Sequence, residues 1–265
     1  SITLSECLRI RKCSLIMNEI NELRRVDQQK GFILATSEWK ETSLLLDIFT
    51  KDYGRRRLVA RGARRANSPL RGILTPFAPL SFSWHGKGDF PLLHDVVWLG
   101  GQAQMKGLAL FAALYIAELI YSLVPLHDPY PSLFTHAIDS LSALSRFRDL
   151  TPILRAFEWT LVKEMGISPP IDQDQQGKEI KINAFYRIER RENLILIEEN
   201  QEKSDILQIS GAALQAIAKN DYSQGALEKE ARLFFQFLLK EILPQKELKS
   251  QKIIHQLYAL KGQYF

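Results

Sequence analysis

The chain of 265 residues has only two cysteines, Cys7 and Cys13, both near its N-terminus. Two thiols cannot make a disulfide framework or a four-cysteine zinc site, and such sparse usage predicts a reducing, cytoplasmic setting. The five histidines, at 85, 94, 127, 136 and 255, are scattered without ligand spacing, so neither a metal nor a cofactor is expected. A clean membrane-spanning run is missing too. The most apolar stretch, 107–126, carries Glu118 at its middle, where an acid costs about 2.5–3.5 kcal/mol in a bilayer. It reads as a helix buried in a protein core, and no membrane partner is expected. Ser1–Ile16 holds Glu6, Arg9, Arg11 and Lys12 with no apolar run, so no signal peptide is expected there. Residues 1–25 are read as an extension peripheral to the fold, with Met17 the more natural start.

Reactive constellations are equally scarce. There is no G-x-x-x-x-G-K-[ST] loop, no G-x-G-x-x-G, no H-E-x-x-H and no G-x-S-x-G elbow. Catalytic residues are therefore not expected, and a protein acting by binding is.

What the sequence does have is charge in one place. The formal net charge is +5, yet 51–71 alone holds Lys51, Arg55, Arg56, Arg57, Arg61, Arg64, Arg65 and Arg71 against Asp52, a net of +7. The remaining residues thus sum to −2. Seven of the eight cations are arginine, the side chain suited to phosphate. An anionic partner met at one site is the reading.

The stripe falls in a β-rich region. Short strands are predicted at Gly31–Ser37, Thr42–Thr50, Arg55–Ala60, Phe77–Trp84 and Phe90–Trp98, the last two forming a hairpin around Gly86-Lys87-Gly88. Alternation puts Arg55, Arg57 and Val59 on one face of the third strand, and Arg56, Leu58 and Ala60 on the other. Five such strands suit a small barrel, either an OB-fold or an SH3-like barrel on pattern alone. Single-strand binding on such barrels also uses aromatic platforms. Phe82 and Phe90 are expected in the core, and Trp39, beside Lys40 in a turn, is expected to be exposed.

From Met105 the period becomes helical. Leu108, Phe111, Tyr115, Leu119 and Leu123 line one helix, and a second runs over Ser132–Leu144. Thr151 is placed as the cap of a third, with Pro152 in its first turn and Gly166 at its end. A loop or small hairpin insertion occupies about 167–200, with strands at 180–188 and 194–197. Helices follow over Ala226–Leu243 and Ser250–Leu260. The architecture is α+β, with a barrel domain at 26–102 and a helical domain at 103–265.

These residues carry a resemblance. The run Trp39-Lys-Glu-Thr-Ser-Leu-Leu-Leu-Asp-Ile-Phe-Thr50, followed by Gly54-Arg-Arg-Arg-Leu-Val-Ala-Arg-Gly-Ala-Arg64, is similar to the N-terminal domain of the RecO family of bacterial recombination mediators. Leu74-Thr-Pro-Phe-Ala-Pro-Leu80, Tyr115-Ile-Ala-Glu-Leu119, Leu154-Arg-Ala-Phe-Glu158 and Leu248-Lys-Ser250 continue it in order. The resemblance implies an OB-fold then a helical domain, and a non-enzymatic role in DNA repair. It implies binding of single- and double-stranded DNA, annealing of complementary strands, and action with RecR to help load RecA onto DNA coated by the single-strand binding protein SSB. It implies a DNA-contact role for Arg55, Arg57, Arg61, Arg64, Arg65 and Arg71, with Lys40 and Trp39 beside them. It also makes Arg155, flanked by Leu154 and Phe157, the partner of the acidic, Phe-ended SSB tail. Many family members carry a four-cysteine zinc module after the helix ending near Gly166; Ile167–Tyr186 has no cysteine here and resembles the zinc-free branch. An RNA-binding OB protein, or an adaptor docking acidic proteins, would be served by the same basic stripe.

Overall fold

The computed structural model describes residues 25–101, 105–189, 193–197, 207–243, 248 and 250. The extension expected over 1–25 and the helix expected beyond Ser250 fall almost wholly outside them. The described residues form two compact units.

The first unit is a closed five-stranded barrel of β1 (Val26–Trp39), β2 (Ser43–Thr50), β3 (Gly54–Ala60), β4 (Leu80–His85) and β5 (Leu92–Trp98). Its strand order is β1-β2-β3-β5-β4 and back to β1. Closure comes from the parallel pairing of Val59 in β3 with Leu92 in β5, which decides for the OB-fold over the SH3-like barrel. The long β1 serves two neighbours, pairing with β4 through its first half and with β2 through its second. Register shifts between Val26 and Gln29 and between Ile33 and Ala35 let it bend around the barrel. The period-2 alternation holds: Leu46, Ile48, Leu58, Ala60, Leu80, Phe82, Trp84 and Val96 fill the interior. Between β3 and β4 a single 3-10 turn, Pro69–Gly72, is capped by Ser68, and Leu70, Ile73 and Leu74 pack against the core.

Pro125–Pro129 belongs to this unit as well. The His127 amide donates to the Arg55 carbonyl at 2.9 Å, and Leu126 bridges Arg55 in parallel fashion. The sequence predicts only a Pro- and Asp-rich loop between helices here; the stretch is also an extra rung beside β3.

The second unit contains α1 (Leu108–Leu123), α2 (Pro131–Leu144), α3 (Thr151–Glu164), α4 (Gly211–Lys219) and α5 (Gly225–Ile242). Thr151 is not the cap of α3 but its first residue. Leu150 occupies the cap position, and the Asp149 carboxylate accepts from the Thr151 amide at 3.2 Å. Gly166 ends the helix as expected, at φ +66°. The insertion is a three-stranded sheet, ordered β7-β6-β8, of β6 (Phe185–Glu189), β7 (Asn193–Leu196) and β8 (Gln208–Ser210). Tyr186, Ile188, Leu194 and Ile209 are buried and hold it by packing. Among the described residues, no helix is long and apolar enough to cross a membrane.

Candidate nucleic-acid interface

The basic stripe divides along β3. Lys51 and Arg55 lie at its start and Arg61–Arg65 just beyond its end, about 20 Å away at 3.3 Å per residue. At the starting end Lys51 is exposed, but Arg55 is buried where the Pro125–Pro129 segment runs alongside. Arg56 faces the opposite side, sits 5.7 Å from the Tyr53 ring centre, and contacts His127 Nδ1 at 3.2 Å. Burial, reinforced by Arg56, holds the His127 imidazole below the usual histidine range, so neutral His127 accepts from Arg56. Arg57 is half-buried, its Nε 3.3 Å from the carboxylate of Asp47 directly across the β2–β3 ladder.

The far end of β3 is open. Here the turn between β1 and β2 meets the segment after β3, because the Arg64 amide donates to the Thr42 carbonyl at 2.9 Å. The Arg64 guanidinium lies 2.8 Å from Glu38 and reaches the carbonyls of Lys40 and Glu41 at 3.4 and 3.3 Å. It braces the turn. The Lys40 backbone stands in the left-handed region at φ +54°, at the apex of that turn, with its side chain exposed. Arg61, Arg65 and Arg71 are likewise exposed.

The β4–β5 loop joins the same end. The Val59 amide donates to the Pro91 carbonyl at 2.9 Å, and the Trp39 and Phe90 rings meet with centres 5.1 Å apart at 31°. The loop bearing Lys87 turns through Gly86 and Gly88, both at positive φ. OB-folds present oligonucleotide-binding surfaces at the β1–β2 and β4–β5 loops. The structure therefore gathers Trp39, Lys40, Arg61, Arg64 and Arg65 at that end, and leaves Arg55 buried at the other.

Of three aromatic expectations, Trp39 is half-buried rather than exposed, and the other two divide. Phe82 is core, whereas Phe90 is 39% exposed and belongs to the loop rather than the barrel interior. Strand alternation misplaces it, because β5 starts only at Leu92. The Gly-Lys-Gly apex two residues earlier is the signal that marks it as loop.

The second proposed site lies in the helical unit. Leu154 and Phe157 are buried on α3, and Arg155 is only 7% exposed. Its Nη2 donates to Glu158 Oε1 at 3.0 Å, with Nε 2.9 Å from Oε2. The Tyr115 hydroxyl donates to the same Oε1 at 2.6 Å. Burial pushes the Glu158 carboxyl above the usual glutamate range against the pull of Arg155 and Tyr115. Burial, then the Glu158 charge, raises the Tyr115 phenol well above its ordinary value. Arg155 Nη1 points to Glu228 Oε1 at 3.8 Å, too far for a hydrogen bond. Ser250, which ends the Leu248–Ser250 segment of the resemblance, donates from its amide and hydroxyl to Glu118 of α1 at 2.9 and 2.5 Å.

Comparison with known proteins covers both units. The family model for the recombination protein O N terminal matches residues 24–101, and that for the recombination protein O C terminal matches 106–234. The DNA repair protein RecO of Chromobacterium violaceum is 36% identical over 239 residues, covering 89% of this chain and 97% of its own. That of Azoarcus sp. (strain BH72) is 34% identical over 239 residues, covering 89% and 98%. The RecO of Neisseria meningitidis is 32% identical over 238 residues, covering 88% and 89%. Matched in order through both units, and over nearly the full length of such relatives, the chain belongs to the RecO family of DNA repair proteins.

Proposed function

We propose that this chain binds single- and double-stranded DNA at the open end of its barrel and anneals complementary strands by screening their mutual repulsion. The observation that carries this reading is the gathering of exposed Lys40, Arg61 and Arg65 around the β1–β2 turn. Arg71, exposed on the 3-10 turn that follows, is a further cation of the same segment. Phosphates neutralised there release counterions, a sequence-independent driving force. The protein acts by binding rather than turnover, in the cytoplasm and on the nucleoid. With RecR it helps RecA replace SSB on single-stranded DNA.

The SSB tail is assigned to Arg155. Support comes from Nη1, whose nearest carboxylate oxygen among the described residues stands 3.8 Å away, and from the capacity of arginine to take a second carboxylate. Leu154 and Phe157, both buried, form the apolar backing.

Fluorescence anisotropy of a labelled single-stranded oligonucleotide at several salt concentrations tests the DNA site. Arg61→Ala/Arg65→Ala/Arg71→Ala is expected to bind more weakly. Its log–log salt slope should flatten by about 0.7 for each phosphate no longer neutralised, or roughly 2 in all. Arg64 is left intact because its removal would slacken the turn itself. Equal binding by the triple variant would overturn the assignment.

A further inference from the structure

We infer that Trp39 and Phe90 form a two-ring platform on which unstacked bases of a single strand lie, and that this platform, rather than the arginines, sets a preference for single over double strands. The inference rests on the DNA-binding reading above and adds the part of the ligand it would recognise.

The rings come from different segments: Trp39 closes β1 and Phe90 lies in the β4–β5 loop. Their centres are 5.1 Å apart and tilted by 31°, so they meet face to face in part rather than edge to face. Trp39 is half-buried and Phe90 is 39% exposed, so aromatic surface remains open to solvent. Aromatic surface of this kind, rimmed by polar and charged residues, is the sort that marks a ligand site. Its neighbours say what kind of ligand fits. Lys40 follows Trp39 directly, Arg61 and Arg65 border the turn, and Lys87 sits three residues before Phe90. Acids stand there too. Glu38 is held at 2.8 Å by Arg64, while Glu41 and Asp89 are exposed. Phosphates would therefore run along the Arg61–Arg65 side, with bases turned toward the rings. A ligand with a planar apolar face and an anionic backbone matches this layout, and a single strand has both. A duplex does not, since its bases are already stacked and paired.

Trp98 is a natural control. At 59% it is more exposed than Phe90, yet it pairs with Leu80, at the opposite end of β4 from His85 and the β4–β5 loop.

The test uses the full chain and two labelled probes of equal length, an all-thymidine oligonucleotide and a fully abasic one. Wild type is expected to prefer the thymidine probe by about 5- to 30-fold, the lower half of the range for one stacked base. Phe90→Leu and Trp39→Leu should each bring that ratio close to one while leaving the salt slope unchanged. Trp39→Phe, which keeps a ring, should retain most of the preference, and Trp98→Leu all of it. Circular dichroism of each variant establishes that it is folded. A wild-type ratio near one with both probes bound would overturn the platform and leave the DNA-binding reading standing. So would a ratio unchanged in Phe90→Leu. Failure of wild type to bind either probe would overturn both.

Discussion

At Gly54 two constraints coincide. Its φ is +63°, which side chains other than glycine rarely adopt, and a Cβ built there would run into the Asp128 carbonyl oxygen. A backbone oxygen cannot swing aside as a flexible side chain does. Gly54→Ala should therefore push the Pro125–Pro129 rung off β3 and cost about 2–3 kcal/mol, at the upper end of ordinary point substitutions. Gly88 separates the two effects. It has φ +78° but nothing within 4 Å of the added Cβ, so Gly88→Ala should cost only about 1 kcal/mol. Urea unfolding of both variants checks this, and equal destabilisation would mean that the clash with Asp128 is unimportant. The positive charges show the same dependence on neighbours. Arg57, Arg61 and Arg64 read alike along the sequence, yet Arg57 faces Asp47, Arg64 braces a turn and Arg61 is exposed. Cross-strand pairing and turn geometry set those differences, and neither is visible in a run of arginines.

Helix α3 shows what an element's pattern hides. The Leu154, Phe157 and Leu161 stripe is legible from spacing, and Arg155 with Glu158 is legible as an i,i+3 pair. That both ions lie inside the unit, with Glu158 only 1% exposed, is not, because α1 and α5 bring Tyr115 and Glu228 to them from distant sequence. Helix α4 escapes the sequence reading although Ser210 caps it and Asn220 ends it in the left-handed region. At nine residues it is too short for periodicity to stand out, and three-residue β8 is shorter still. The buried glutamate has a pH consequence. Its pKa is raised on folding, so the stability it contributes is complete below the ordinary value of 4.5 and is lost as pH rises through the folded value. Glu158→Gln resembles the protonated form and lacks this titration. The stability of wild type minus that of Glu158→Gln should therefore fall as pH rises from 4.5 to 8, measured by urea unfolding. A pH-independent difference would show that Arg155 fully offsets the burial. Arg155→Ala removes that offset, and should cost about 3–5 kcal/mol at pH 7.5, and less as pH falls, since protonation of Glu158 removes the unpaired buried charge. Assays of SSB-tail binding with this variant therefore belong at the lower pH.

At the scale of the whole molecule, the chain is a nearly neutral body carrying one concentrated positive region: +7 within 51–71 and −2 elsewhere. The barrel strands, the change from barrel to helices and the basic stripe are all legible in the sequence, since strand alternation, the change to helical period and charge clustering are local signals. Which arginines remain available is not, because that depends on the Pro125–Pro129 rung and on the meeting of two loops. If DNA is held by a positioned surface, then net charge by itself should be a poor predictor of affinity. Charge relocation tests this directly. Replacing Arg61, Arg65 and Arg71 by Gln, and exposed Gln175, Gln176 and Asn183 of the helical unit by Lys, leaves the net charge at +5. The long-range attraction between such a chain and DNA is little altered, whereas the short-range neutralisation of phosphates at the barrel is removed. The relocated chain should bind single-stranded DNA no better than the triple variant and should anneal complementary strands correspondingly slowly. Recovery of wild-type affinity and salt slope would mean that any positive surface suffices, and the barrel end would lose its claim to be the site.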